Sequence, residues 1–133
     1  MSAPRVVTPA EPHPRSEAAV RRVRPNPALM DGVRSEDGHT MAYVFAEIAP
    51  GRLLSRFFFP GGTAILEDPA TGSATANLGG WLIAREHSLP ARYEISQGEY
   101  VGRPSTLHLE VTAERHILVG GDVIELGRGT VTV

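Results

Sequence analysis

Apolar residues in this chain recur at alternate positions over several stretches and at helical spacing in one stretch near the middle. Met41, Tyr43 and Phe45, and then the run 53–59, are rich in β-branched or aromatic side chains and are separated by Ala49-Pro50-Gly51, a turn signal. The pattern predicts two strands joined as a hairpin. Pro60-Gly61-Gly62 ends the second strand and opens a loop running through Asp68-Pro69. Residues 73–86 contain no proline, and Ala74, Ala76, Leu78, Trp81, Leu82, Ile83 and Ala84 occupy most of a helical wheel. That predicts a helix buried on nearly all sides, with Trp81 in the core. Gly79 and Gly80 would each cost about 1 kcal/mol in an exposed helix, so close approach of neighbouring backbone is the reason expected for them. Arg85 and His87 fall where positive charge suits the helix dipole.

After Pro90 the alternation resumes in Tyr93 and Ile95, in Leu107, Leu109 and Val111, and in Ile117 and Val119. It continues through Val123, Ile124 and Leu126 to Val131 and Val133. Gly120-Gly121-Asp122 and Gly127-Arg128-Gly129 read as tight turns, so the last three segments are expected to form an antiparallel meander. Upstream, Pro4, Pro9, Pro12, Pro14 and Pro25 make the beginning of the chain mostly loop. Residues 16–23 read there as a short strand, and residues 28–33 as a single helical turn after Asn26-Pro27. The expected fold class is α+β: a strongly curved, mostly antiparallel sheet wrapped around one central apolar helix. A Pro-rich segment, residues 1–15, precedes a single domain over residues 16–133.

A length of 133 residues suits one domain with one modest core. All 13 basic residues are arginine, against 15 acidic ones, and the formal net charge is −2. Without cysteine there is no disulfide framework, thiolate metal site or thiol nucleophile. Without lysine there is no Schiff base and no Walker-type phosphate lysine. The near balance of charge argues against a nucleic-acid partner. No run approaches the roughly 18 apolar residues of a membrane span, and the N-terminus is not an apolar signal segment. A soluble, cytoplasmic protein is therefore expected. His13, His39, His87, His108 and His116 show no paired metal-binding spacing, so neither a metal nor another cofactor is implied.

Chemistry concentrates in Glu67-Asp68-Pro69-Ala70-Thr71-Gly72-Ser73-Ala74, which leads into the predicted helix. Gly72 permits close approach of a ligand, and successive N–H groups at such a terminus attract carboxylate or phosphate. The plainer reading is that Asp68, Thr71 or Ser73 is only an N-cap, worth about 1 kcal/mol. Glu67 could raise the pKa of its neighbour by like-charge repulsion, although a structural role is the commoner one for adjacent carboxylates. Arg103 could hold a carboxylate or brace the sheet. Gly120-Gly121 reads as a hairpin turn and not as a phosphate loop, since no helix follows.

Phe57-Phe58-Phe59-Pro60-Gly61-Gly62 followed by Glu67 to Ala74, then Ser96-Gln97-Gly98, Gly102-Arg103-Pro104-Ser105 and Val119-Gly120-Gly121, resembles the C-terminal half of the phenazine-biosynthesis PhzF-like isomerases. The resemblance implies one lobe of the diaminopimelate-epimerase-like fold, in which substrate lies between the helix N-termini of two facing halves. It implies cofactor-independent proton transfer on a small carboxylate, with Asp68 as the catalytic residue and Gly72 and Ser73 binding substrate. The absence of cysteine separates the chain from diaminopimelate epimerases, which exchange protons through a cysteine pair.

The chain departs from the family in lacking its first half, with the glutamate base and Gly-His-Ala-Thr segment found there. Gly38-His39-Thr40 is a faint echo that precedes a strand, and His39 reads as a solvated loop residue. An isomerase lobe acting as a homodimer, or with a separate N-terminal-half chain, is therefore expected. The alternative is a non-catalytic truncated relative that binds a small anion or a partner chain. A hot-dog-type thioester enzyme would share the sheet and helix but leaves the ordered motifs unexplained.

Overall fold

The computed structural model describes residues 16–30 and 40–132. It is an α+β structure with a six-stranded, unclosed sheet. The elements run α1 (Glu17–Arg22), α2 (Pro27–Met30), β1 (Ala42–Ala49), β2 (Arg52–Gly61), β3 (Ala64–Asp68), α3 (Gly72–Ala84), β4 (Ala91–Gln97), β5 (Ser105–Val111) and β6 (Ile117–Gly121), with a 3-10 turn at Glu99–Val101. The order across the sheet is β1-β2-β4-β5-β6, with β3 also paired to β2.

The expected hairpin forms from β1 and β2 in antiparallel register, Ala42 opposite Phe58 and Ala49 opposite Arg52. Leu53 to Phe58 are all buried because both faces of β2 are covered. Tyr43, Leu53 and Phe57 pack with Leu78 and Leu82 of α3 and with Ile95, Leu109 and Val111. On the other face Leu54 and Ala46 pack with Val20 of α1. One flank of β2 is shared: its first residues, Arg52–Leu54, pair in parallel with β4, and Phe57 to Gly61 pair antiparallel with β3. The parallel pairing follows from the route of the chain, since β3 and α3 carry it from β2 over to β4.

Several expectations differ from the structure. Residues 16–23 form helix α1 and no strand, because Ser16 caps it through Ala19 N at 3.2 Å and Glu17 pairs with Arg21 one turn on. The loop expected after Pro60 contains strand β3, which completes a turn at Gly62 and pairs back onto β2. Gly120 and Gly121 lie in β6 opposite His108 and Leu107, so they form no turn. The meander beyond them is absent, since residues 122–132 have no regular structure and Val123, Ile124 and Leu126 are 90%, 83% and 95% exposed. Helix α2 starts at Pro27 with Asn26 accepting from Ala28 N at 3.0 Å, while residues 31–33 of the expected turn lie outside the described residues.

Helix α3 buries a single stripe, Ala74, Thr75, Leu78, Gly79 and Leu82, against the sheet. Ala76, Gly80, Trp81 and Ile83 are half-buried and Ser73 and Ala84 are exposed, so the helix is not enclosed on nearly all sides. Its two central glycines differ accordingly. A Cβ on Gly79 would stand 2.8 Å from Ile117 Cγ2 and 3.3 Å from Leu109 Cδ1, whereas a Cβ on Gly80 would meet nothing within 4 Å. Gly80→Ala is therefore expected to stabilise the chain by about 1 kcal/mol, seen as a higher denaturation midpoint. Gly79→Ala should give no such gain, because β6 must shift to admit the methyl group.

Candidate functional site

The N-terminus of α3 lies where β3 and β4, neighbours along one flank of β2, part from each other. A buried hydrogen-bonded network fixes that junction. Gln97, 2% exposed at the end of β4, donates through Nε2 to Asp68 O at 2.8 Å and to Thr71 Oγ1 at 2.9 Å. Its Oε1 accepts from Ser55 Oγ at 3.3 Å, so one amide ties β2, β4 and the start of α3 together. Thr71 Oγ1 donates to Asp68 Oδ2 at 2.6 Å, and Ala70 N donates to the same oxygen at 3.3 Å. Below them Thr75 Oγ1 donates to Thr71 O at 3.1 Å and receives the Tyr43 hydroxyl at 3.5 Å. Burial pushes the Tyr43 phenol pKa up, which keeps it a proton donor in this network.

This network settles how the helix begins. Thr71 occupies the N-cap position but makes no side-chain capping bond, because its hydroxyl is committed to Asp68 and Gln97. Asp68 is likewise turned to Ala70 and Thr71. Among the described residues no partner takes the backbone N–H of Gly72, Ser73 or Ala74, and Ser73 is exposed. The plain N-cap reading holds for Thr71 by position, but no side chain of Asp68, Thr71 or Ser73 takes an amide of the first turn of α3. What remains is an open set of donors at the positive end of a 13-residue helix, with Ser73 beside them. Gly72 is half-buried at its first position, and a Cβ there would touch only Val119 Cγ1 at 3.9 Å. The fold of this chain does not itself require glycine at that point.

Other motif residues gather at the same end. Gly98 has φ +87°, and a Cβ there would stand 2.6 Å from Pro69 O and closer still to Arg103 O. The loop 98–103 is closed by Arg103 N donating to Gly98 O at 3.0 Å. Arg103 contributes through its backbone, and its side chain is exposed. Local sequence pattern points to Asp68, Gly72 and Ser73 and gives Gln97 no separate role. Its signal, a polar residue ending a strand just before a glycine, acquires meaning only once β4 is known to lie beside β3.

Glu67 faces away from this network. Its two oxygens take Arg56 Nε at 2.9 Å and Nη2 at 2.8 Å, in an ion pair whose side chains are 6% and 10% exposed. Arg56 Nη1 donates on to the carbonyls of Val20, Arg21 and Val23 at the end of α1. Glu67 is thus structural and does not act on Asp68. His87 Nε2 lies 3.3 Å from the Tyr93 hydroxyl and His108 lies 3.5 Å from Asp122, while His13 and His39 fall outside the described residues. Among the described residues no three His, Cys, Asp or Glu side chains converge as a metal site would require, and no helix is long and apolar enough to cross a membrane.

An α+β fold that leaves the first amides of α3 without a partner among the described residues, beside a carboxylate and a serine, presents donors of the kind that attract anions. The chain belongs to the phenazine biosynthesis-like protein family, whose match covers residues 9–127. It is 36% identical over 115 residues to an uncharacterized isomerase of Pasteurella multocida (strain Pm70), a match covering 86% of this chain and 38% of the relative. The chain therefore spans under two-fifths of that relative's length.

Proposed function

We propose that this chain is one lobe of a cofactor-independent isomerase that moves a proton on a small carboxylate substrate. The observation that carries this reading is the uncapped start of α3, whose Gly72, Ser73 and Ala74 amides have no partner among the described residues. The family and the isomerase relative support the reaction class. Amides aimed at one point hold a substrate carboxylate, or the enolate oxygen that forms when a proton leaves the adjacent carbon, and they need no reorganisation as that charge develops. The Ser73 hydroxyl adds a donor. Asp68, held through Oδ2 by Thr71 and Ala70, presents its other oxygen for proton transfer.

A second lobe completes the site, supplied by a separate N-terminal-half chain or by a second copy. The relative's greater length supports this, as does the half-buried outer side of α3 at Ala76 and Gly80. With that side covered, α3 becomes the central apolar helix of a closed lobe pair.

The test is solvent deuterium incorporation into 2-amino and 2-hydroxy carboxylates, followed by NMR, with the chain alone and with an N-terminal-half chain added. Exchange is expected once the second lobe is present, and Asp68→Asn should lower it by about 10²–10⁴-fold. Asparagine keeps an acceptor for Thr71, so circular dichroism should be unchanged. Gly72→Ala should keep the fold and weaken carboxylate binding by calorimetry, because the methyl group stands where ligand approaches. Binding without exchange under all these conditions would instead establish the non-catalytic anion-binding reading. That reading has its own support in Glu67, which is locked to Arg56 and leaves Asp68 without a neighbouring carboxylate to share the proton chemistry.

A further inference from the structure

The opposite end of α3 carries a feature that the isomerase reading does not use. A cavity of about 290 Å³ lies there between the helix and the sheet, and Phe45, Trp81, Tyr93 and His87 all line it, with Glu47 on the same wall. This is close to the lower end of small-ligand pockets, about 300 Å³. The rings are set by the fold. Phe45 and Trp81 meet edge to face at 5.8 Å between centroids, and His87 and Tyr93 do the same at 6.3 Å. Phe45 and Glu47 are two apart on β1 and point to the α3 side of the sheet, as β-strand alternation requires.

Glu47 is the one carboxylate among the described lining residues, and no arginine lines the cavity. His87 Nδ1 lies 3.0 Å from Ser88 O and its Nε2 lies 3.3 Å from the Tyr93 hydroxyl, so both ring nitrogens are engaged and the ring is held in place on the cavity wall. Glu47 uses Oε1 to accept from Gly51 N at 3.1 Å and has a second oxygen to offer. Its negative charge reaches Tyr93, whose phenol pKa is pushed up by burial first and by Glu47 second. Outside the lining, the guanidinium of Arg85 sits 5.5 Å from the Trp81 ring centroid, so this ring already draws a cation. Aromatic walls with a carboxylate beside them bind organic cations, through attraction to the ring quadrupoles and to the carboxylate charge.

We propose that this cavity is a binding site for a small organic cation of the quaternary ammonium class, walled by Phe45, Trp81, Tyr93 and His87, with Glu47 as counter-charge. The site is separate from the α3 N-terminus and does not depend on the isomerase reading. A neutral apolar molecule of the same shape fits the same space but gains nothing from Glu47. A bound cation also competes with Arg85 for the Trp81 ring.

Trp81 is the single tryptophan of the chain, so its fluorescence reports the site directly. The full chain is titrated with choline chloride, with sodium chloride matched for ionic strength. A saturable change in Trp81 emission is expected. The uncharged carbon isostere, 3,3-dimethylbutanol, should bind about tenfold more weakly, and Glu47→Gln should weaken choline by a similar factor. Glutamine retains the acceptor for Gly51 N, so folding is preserved. Arg85→Ala should tighten binding, and Glu94→Gln, which removes a charge outside the cavity, should leave it unchanged. The proposal is overturned by a non-saturable response, by equal binding of the neutral isostere, or by Glu94→Gln weakening choline as much as Glu47→Gln does.

Discussion

Glu67→Ala is expected to destabilise the chain by about 3–5 kcal/mol, the range for removing one partner of a buried ion pair. Arg56 is 5% exposed, and Glu67 holds two of its three nitrogens. With Glu67 gone, the guanidinium keeps the α1 carbonyls and the rings of Phe58 and Tyr100, whose centroids lie 4.9 and 4.1 Å from Cζ. None of these neutralises its charge. Burial of an unpaired cation is costly, so the protein opens between β2 and β3 to let water in. Replacing both residues by leucine removes the charge with its partner. The double variant should therefore be more stable than Glu67→Ala, although α1 loses the donor that holds its last carbonyls. Urea denaturation of both variants and the parent decides this. A loss below about 1 kcal/mol for Glu67→Ala, the size of an exposed pair, would sink the account.

That pair shows the limit of local sequence pattern. Glu67 adjoins Asp68 in the chain, and adjacency suggested two carboxylates acting on each other. In strand β3 successive side chains take opposite faces, so one residue entered the α1 side of the sheet and the other the α3 junction. The alternation was legible elsewhere for the same reason: Tyr43 and Phe45 against Val44, Ala46 and Ile48 sort correctly onto the two faces of β1. Strand β3 itself was hidden because it is short and follows Gly61-Gly62, and its stability comes from pairing with a long buried neighbour. Val123, Ile124, Leu126 and Val131 carry a true strand pattern, yet no described strand of this chain pairs with them. Periodicity reports what a segment can bury and not whether a partner is present. At the site, the start of α3 was legible to within one residue, and Asp68 and Ser73 do flank it. Thr71 and Gln97 take their roles from β4, which is distant in sequence, so local spacing could not reveal that the cap hydroxyl is diverted.

The tightest constraint on the site is at Gly98, and Gly98→Ala is expected to be the most damaging methyl group that can be added near it. Its φ of +87° already costs an L-residue about 1–2 kcal/mol. The added Cβ would also lie 2.6 Å from Pro69 O and 3.0 Å from Pro69 Cα, and nearer to Arg103 O. All three are backbone atoms, so no side-chain rotation relieves the contact. Pro69 links Asp68 to the start of α3, and displacing it pulls Asp68 O off Gln97 Nε2, which it meets at 2.8 Å. The substitution should therefore lower stability by about 3 kcal/mol or more and abolish the proposed carboxylate binding together with it. Gly102→Ala separates the two causes. Gly102 has φ +68° in the same loop, but a Cβ there meets nothing within 4 Å. It should cost only the conformational strain and leave ligand binding intact. Thermal denaturation and calorimetry on the two variants read both effects. Equal losses at the two positions would mean that loop strain alone is at work and that the Pro69 contact does not hold the site.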